Sequence, residues 1–274
     1  MKISVVITSY NYEKYIKETI QSVLNQTYKD WELIIVDDCS SDNSVDVIKS
    51  FNDSRIRLYI NEENLGLAKT LKLGVEKATG DWIVFLESDD LINPDYITRK
   101  IQVIKNNNNI SLVFNDCKFF GESSRVNDFN TALYKTRLKN AKRKYPANMF
   151  YNFYLSNKIF TFSAVMAKRS DLLQLDYDTP VDCLLDWWLW IQLAYIGDFY
   201  YIPEKLTQWR LHNNSYISNS EKNTPGGLRI KAYFKTFIKS KDFKILVFII
   251  FLRMIWVLQQ INKKLMKLIH NKWK

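Results

Sequence analysis

Glycine is scarce in this chain, with seven in 274 residues. The first apolar run, residues 3–7, leads into Thr8-Ser9-Tyr10-Asn11. That segment is neither the Gly-rich turn that cradles a dinucleotide nor a P-loop, so hydride transfer and ATP-dependent phosphoryl transfer lose their usual signatures. Cysteine and histidine are scarcer still. Cys39, Cys117 and Cys183, with His212 and His270, lie far apart in sequence, which excludes zinc-type spacing. The odd, scattered cysteine count argues against a disulfide framework and for a reducing compartment. Long hydrophobic runs are missing as well. The densest stretch, residues 243–258, is interrupted by Lys244 and Arg253 and falls short of the ~20 apolar residues that span a bilayer. Residues 3–7 are too short for a secretory h-region, so no secretory signal is expected.

What is present reads as a globular protein: 47% of residues are hydrophobic and 15% aromatic, and the length suffices for a full core. The net charge of +10 is unevenly placed. Residues 226–274 carry twelve Lys or Arg against the single Asp242, which leaves the rest of the chain close to neutral. A basic tail on a near-neutral body points to a partner of the tail rather than of the body.

Short apolar runs alternate with amphipathic ones along the first third. Residues 3–7, 32–36, 56–60 and 81–86 read as strands, and 12–25, 42–51, 67–78 and 94–105 as helices. Within 12–25, Ile16, Ile20, Val23 and Leu24 fall near helical spacing. Strand and helix in alternation predict βαβ units and a mostly parallel sheet covered on both faces. Ligands in such sheets bind beyond the carboxyl ends of the strands. Three polar segments stand there: 8–11, 37–41 and 87–90.

The last of these, Glu87-Ser88-Asp89-Asp90, puts three carboxylates just past an apolar strand. Like charges that close repel unless a base or a metal neutralises them, and oxygen ligands suit a hard ion, Mg²⁺ or Mn²⁺. A solvated acidic turn before a helix started by Asn93-Pro94 is the plainer alternative. The company of the other two segments favours a site, in which a metal would neutralise a nucleotide diphosphate as Gly-rich loops do elsewhere.

Taken together, the residues resemble the family 2 glycosyltransferases, a large group with the GT-A fold. Residues 3–11 resemble the opening strand and Tyr-Asn element of that family, and Val36-Asp37-Asp38-Cys39-Ser40-Ser41-Asp42 its Val-Asp-Asp segment. Asn64-Leu65-Gly66 resembles the Asn-x-Gly before its third helix, and residues 79–90 the strand ending in its metal-binding Asp-x-Asp. Order and spacing fit throughout residues 3–95. The resemblance implies that Asp38 binds the donor base, with Thr8, Tyr10, Asn11 and Asn64 in the same donor pocket. Asp89 would be the main metal ligand, and Glu87, Ser88 and Asp90 would hold the ribose or the surroundings of the metal. Glu87 departs from the family pattern, which usually has Asp there.

A second match lies downstream. Residues 186–193, Tyr201-Ile202-Pro203-Glu204 and Trp209-Arg210-Leu211-His212 are similar to the acceptor side of the family, where an Asp at a helix start serves as base. Asp186 would be that base; Leu185 stands where an acidic residue is often found, so Asp186 is alone unless Asp182 folds in. An acceptor hydroxyl needs such a base, although helix capping is the plainer reading and is compatible with it. Arg210 would touch the diphosphate, and His212 the diphosphate or its metal. The tryptophans at 187, 188 and 190 read as core.

From 228 to 268, Ile230, Tyr233, Phe234, Phe237 and Ile238 share one helical face with Lys231, Lys235 and Lys239 off it. The tail therefore reads as an amphipathic helix lying on an anionic membrane, against a helix packed on the body or a dimer interface. The expected organisation is a nucleotide-sugar half (1–115), an acceptor half of the same domain (116–225) and a basic tail (226–274), cytoplasmic and peripheral at the inner membrane face. The expected activity is metal-dependent, inverting sugar transfer from a nucleotide diphosphate, UDP first, to a hydroxyl of a glycan or lipid-linked acceptor. A nucleotidyltransferase, or a non-enzymatic membrane or nucleic-acid binder acting through the tail, are the rivals. The first should carry a Gly-rich basic loop near strand one, and the last is disfavoured because the carboxylates would repel nucleic-acid phosphates.

Overall fold

The computed structural model describes residues 1–122, 126, 140, 142–155, 157–179 and 185–212, with isolated positions from 238 to 254. The strands are β1 (Ile3–Ser9), β2 (Trp31–Asp37), β3 (Ile56–Ile60), β4 (Trp82–Glu87), β5 (Leu91–Ile92), β6 (Ile110–Phe120), β7 (Val165–Lys168) and β8 (Asp198–Arg210). The helices are α1 (Ile16–Leu24), α2 (Ser44–Lys49), α3 (Leu67–Lys77), α4 (Tyr96–Lys105), α5 (Phe150–Leu155), α6 (Arg169–Leu172) and α7 (Leu185–Ile196). Among the described residues the strands form one sheet in the order β3-β2-β1-β4-β7-β6-β8-β5.

The first four strands are parallel, with β1 between β2 and β4. Thr8 stands opposite both Val36 and Glu87, so the polar segments that follow these strands emerge at the same edge, as the sequence predicts. Strands β1, β2 and β4 are buried almost throughout. Their Val, Ile and Leu runs are the composition of strands covered on both faces. β7 joins β4 antiparallel and β6 joins β7 antiparallel, while β8 runs parallel to β6. The sheet is therefore mostly parallel with an antiparallel insertion.

Helix α1 buries Ile16, Ile20 and Val23, one stripe at helical spacing, and each such side chain contributes roughly 1.5–3 kcal/mol on burial. Helix α3 needs glycine at its sheet-facing position. A Cβ on Gly74 would fall 2.5 Å from Val6 Cγ1, so the bare backbone lets the helix approach β1. Helix α7 is apolar on nearly every side and buried as far as Ala194, as its composition demands. The indole nitrogens of Trp187 and Trp188 donate to the carbonyls of Phe153 and Asp176, and Trp190 is fully buried; all three tryptophans are core.

Three helix starts differ from the expectation, α2 beginning at Ser44 rather than 42. Helix α1 begins at Ile16, because the amides of Asn11, Tyr12 and Glu13 donate to the side chains of Ser40, Ser44 and Asp42 and so hold 12–15 as a turn. Helix α4 begins at Tyr96 without a side-chain cap. Asn93 does not supply one, since its amide donates to the Lys205 carbonyl and its oxygen accepts from Gln208.

The chain divides into two units, Met1–Lys222 and Asn223–Lys274. The boundary is close to the expected start of the tail, whereas the expected division at 115 falls inside β6. In the second unit the described positions are helical, and Phe243, Val247, Ile250, Phe251 and Met254 are exposed. No helix among the described residues is long and apolar enough to cross a membrane. Asp182, Cys183 and His270 lie outside the described residues.

Candidate active site

A cavity of about 290 Å³ opens at the carboxyl ends of β1, β2 and β4. Thr8, Tyr10, Asp38, Asn64, Glu87, Ser88 and Asp89 all line it, so seven of the residues expected at the donor and metal sites converge on one space. Asp38 follows β2 and its amide is held by the Ser9 carbonyl at 2.8 Å. Its carboxylate accepts from Asn61 Nδ2 (2.8 Å) and from the amides of Leu65 (2.8 Å) and Gly66 (2.9 Å). The segment carrying Asn64 is thereby wrapped around it. Gly66 sits at φ 81°, where an L side chain is strained, which is what the Asn-x-Gly spelling provides.

The carboxylates after β4 are held by hydroxyls from a distant segment. Thr161 Oγ1 donates to Glu87 Oε2 at 2.7 Å, and Ser163 Oγ donates to Asp90 Oδ2 at 2.6 Å. The Arg210 amide donates to the other Asp90 oxygen at 2.9 Å. Asp89 Oδ2 lies 2.9 Å from His212 Nε2. Burial, followed by the charge of Asp89, raises the Glu87 and Asp90 carboxyls above the usual carboxylate range. Tyr12 lines the same cavity, and its hydroxyl is kept protonated by burial and by the charge of Asp89.

Other expected residues stand elsewhere. Asn11, at φ 60°, uses its amide oxygen to accept from the amide and hydroxyl of Ser41, and so staples two loops together. Asp90 is fully buried and ties β8 to the end of β4. Arg210 donates from Nε to the Asp89 carbonyl (2.9 Å) and from its guanidinium to Glu18 (2.6 Å). Its planar group also faces the rings of Tyr15 and Phe120. None of the three is among the residues lining the cavity.

Asp186 lies in the first turn of α7, where the helix dipole favours a negative charge. One oxygen accepts from the Trp187 amide and the other from Asn157 Nδ2, each at 2.6 Å. Burial outweighs these bonds and pushes its pKa up to about 6. Its charge adds to the upward shift of Glu87, so Asp186 and the acidic cluster share one neighbourhood. Sequence reasoning missed Tyr12, Thr161, Ser163 and Phe162, which forms a cavity wall with Trp209 of the segment already singled out. Only Tyr12, next to Tyr10-Asn11, carried a local signal.

The family model for glycosyl transferase family 2 matches residues 4–165. The chain belongs to glycosyltransferase family 2. Among its relatives this glycosyltransferase is similar to TuaG of Bacillus subtilis, a candidate teichuronic acid biosynthesis glycosyltransferase, at 33% identity over 80% of this chain and 83% of that protein. It is also similar to WfgD of Escherichia coli, a UDP-Glc:α-D-GlcNAc-diphosphoundecaprenol β-1,3-glucosyltransferase, at 38% identity over 46% of this chain and 50% of that one. In fold, the glycosyltransferase matches the mannosyltransferase PcManGT of Pyrobaculum calidifontis, in complex with GDP-Man and Mn²⁺, with a TM-score of 0.63 at 18% identity. It matches S. aureus TarS 1-349 in complex with UDP-GlcNAc with a TM-score of 0.62 at 18% identity. The coverage is 86% and 85% of this chain and 64% of each of those chains, so the GT-A-type sheet flanked by helices is confirmed as its fold.

The donor set fits a hard divalent cation. Among the described residues no Lys or Arg side chain pairs with the carboxylates of Glu87, Asp89 or Asp90, which leaves their repulsion uncompensated. Nor do three His, Cys, Asp or Glu side chains there enclose a metal on their own. Mg²⁺ is commonly bound this way, by one or two carboxylates completed by substrate phosphates.

Proposed function

We propose that the protein transfers a sugar from a nucleotide diphosphate donor, UDP-linked first, to a hydroxyl of a glycan or lipid-linked acceptor, with inversion, in the assembly of a surface polysaccharide. The observation that carries this reading is the single cavity in which Asp38 and Asp89 both stand, with Asp186 in electrostatic reach of Glu87. In this reading Thr8, Tyr10, Asn64 and the Asp38 loop bind the nucleoside. Asp89 holds Mn²⁺ or Mg²⁺, with Glu87 and His212 beside it, and the ion when bound neutralises the diphosphate as the leaving group gains charge. Asp186 accepts the proton of the attacking hydroxyl, and its raised pKa suits that task near neutral pH. Asp90 and Arg210 keep the end of β8 against the carboxylates. Inversion is what the family resemblance implies, and in-line attack assisted by one base is compatible with it.

The relatives named for teichuronic acid biosynthesis and for a diphosphoundecaprenol acceptor support a surface-glycan role. The tail supports work at a membrane. Phe243, Val247, Ile250, Phe251 and Met254 recur at three- and four-residue steps with exposed Lys244 and Arg253, the pattern of a helix lying in an anionic headgroup layer at the cytoplasmic face.

The test is thermal stabilisation by UDP, GDP and dTDP, with and without Mn²⁺, beside an Asp89→Ala variant. A metal-dependent shift with one nucleotide, lost in the variant, supports the reading; a folded protein that none of them stabilises overturns it.

A further inference from the structure

The acceptor base and the donor carboxylates lie on elements far apart in the chain, and one short segment touches both. At one end of residues 157–163, Asn157 Nδ2 donates to Asp186 Oδ2 at 2.6 Å. At the other, Thr161 donates to Glu87, and Ser163 donates to Asp90 while accepting from the Glu87 amide at 3.0 Å. Four residue-to-residue steps lead from Asn157 to Thr161, a reach of at most about 14 Å.

Behind the segment, rings lock the same two elements. Phe162 packs on Phe85 and Trp190 with centroids 5.6 and 5.3 Å apart, and Phe85 lies 5.9 Å from Trp190. Trp190 is one helical turn after Asp186, and Phe85 is two strand positions before Glu87, on the same face of β4. The segment is fastened further by the Thr207 hydroxyl on the Ser163 carbonyl (3.1 Å), and the two residues after it by the buried Lys100 Nζ on the Ala164 carbonyl (2.7 Å) and the Tyr96 hydroxyl on the Val165 carbonyl (3.1 Å). So many fixed contacts on nine residues exceed what a connecting loop needs.

We propose that Asn157 is a positioning residue for the reaction, and that the 157–163 strap sets the distance and angle between the base Asp186 and the donor bound at Glu87 and Asp89. The inference rests on the assignment of Asp186 as base. Asn157 suits the role because its amide oxygen accepts the Ile159 amide at 3.0 Å. That contact turns the chain and leaves Nδ2 aimed at the carboxylate. With the Trp187 amide on the other oxygen, the carboxylate is held at both atoms, and each keeps a lone pair for the acceptor proton.

The test uses the full chain, a panel of UDP-sugars with water as acceptor, and release of UDP as the rate. Asn157→Asp keeps the turn and removes the donated hydrogen bond; Asn157→Ala removes both. We expect kcat to fall roughly 10- to 100-fold in each, as misplacement of a catalytic group does, with the donor KM and calorimetric UDP–Mn²⁺ binding unchanged. Asp186→Asn is the reference and should lower kcat further. If Asp186→Asn turns over like the parent, the base assignment fails and this inference with it. If Asp186→Asn is impaired while both Asn157 variants keep the parent kcat, the positioning role alone is overturned. A loss of UDP–Mn²⁺ binding in Asn157→Asp also overturns it, since the residue is then structural.

Discussion

Asp89 and His212 are 123 positions apart in the chain, yet Asp89 Oδ2 and His212 Nε2 lie 2.9 Å apart with both side chains nearly buried. The contact closes the end of β8 onto the carboxylates after β4, and the Arg210 amide on Asp90 repeats it one step away. Asp89 is therefore placed by two strands at once, and a metal held there would be too.

Replacing that carboxylate tests the metal site. Asp89→Ala should weaken UDP binding in Mn²⁺ by about 10- to 100-fold and reduce UDP release at least as much. The repulsion on Glu87 and Asp90 is also relieved, so its melting temperature should match or exceed the parent's. Calorimetry and thermal melts check both, and unchanged Mn²⁺-dependent binding would sink the assignment.

Asp186 sets the expected pH profile. A base must be unprotonated, so kcat/KM should rise with pH through about 6 and level off above it. Two units below, the rate should be down about 100-fold. The same shift has a cost for the fold. A carboxyl whose folded pKa is raised holds its proton more tightly when folded, so the stability it adds at low pH is lost as pH rises through about 6. Asp186→Asn should accordingly melt higher than the parent at pH 7.5 while lacking the acid limb.

Glu32 makes the opposite prediction at the other edge of the sheet. Its carboxylate pairs with Lys2 (2.8 Å) and Arg57 (2.6 Å) and accepts from Ser4 (2.6 Å) and the Thr79 amide (2.6 Å). Burial alone would raise its pKa, but the hydrogen bonds from Lys2, Ser4 and Thr79 bring it down to about 2. The stability it contributes is thus fully present above the unfolded pKa of about 4.3 and is lost as pH falls toward 2. Glu32→Gln should cost about 1–3 kcal/mol at neutral pH. Urea melts at several pH values should show the difference from the parent vanishing near pH 2.

The tail gives a separable prediction. A chain cut after Pro225 should lose binding to anionic liposomes while retaining nucleotide binding. Sedimentation with phosphatidylserine and phosphatidylcholine vesicles distinguishes charge from apolar contact, and raised salt should weaken the full chain's binding. Equal binding by the two forms would remove the membrane role from residues 226–274.

Much of the donor half was legible in the sequence. The Val, Ile and Leu runs of β1, β2 and β4 could only be strands covered on both faces, and the polar segments after them had to share an edge. Helix starts were less legible. At residues 12–15, local helical periodicity loses to side chains of the neighbouring 40–44 loop, which capture the backbone amides. Asn11, Asp90 and Arg210 show the same limit: their residue types suggested ligand contact, and the hydrogen bonds that fasten them to distant segments were not legible.

The sequence by itself determined the alternating strands and helices, the family, and the convergence of Asp38, Glu87 and Asp89, because these follow from periodicity and from motifs read over a few neighbouring residues. Only the tertiary structure decided how each carboxylate is held. The groups that hold Glu87, Asp89, Asp90 and Asp186, among them Thr161, Ser163, Asn157 and His212, come from 29 to 123 positions away. A hydrogen bond across such a separation depends on where packing places two segments and leaves no pattern in either one.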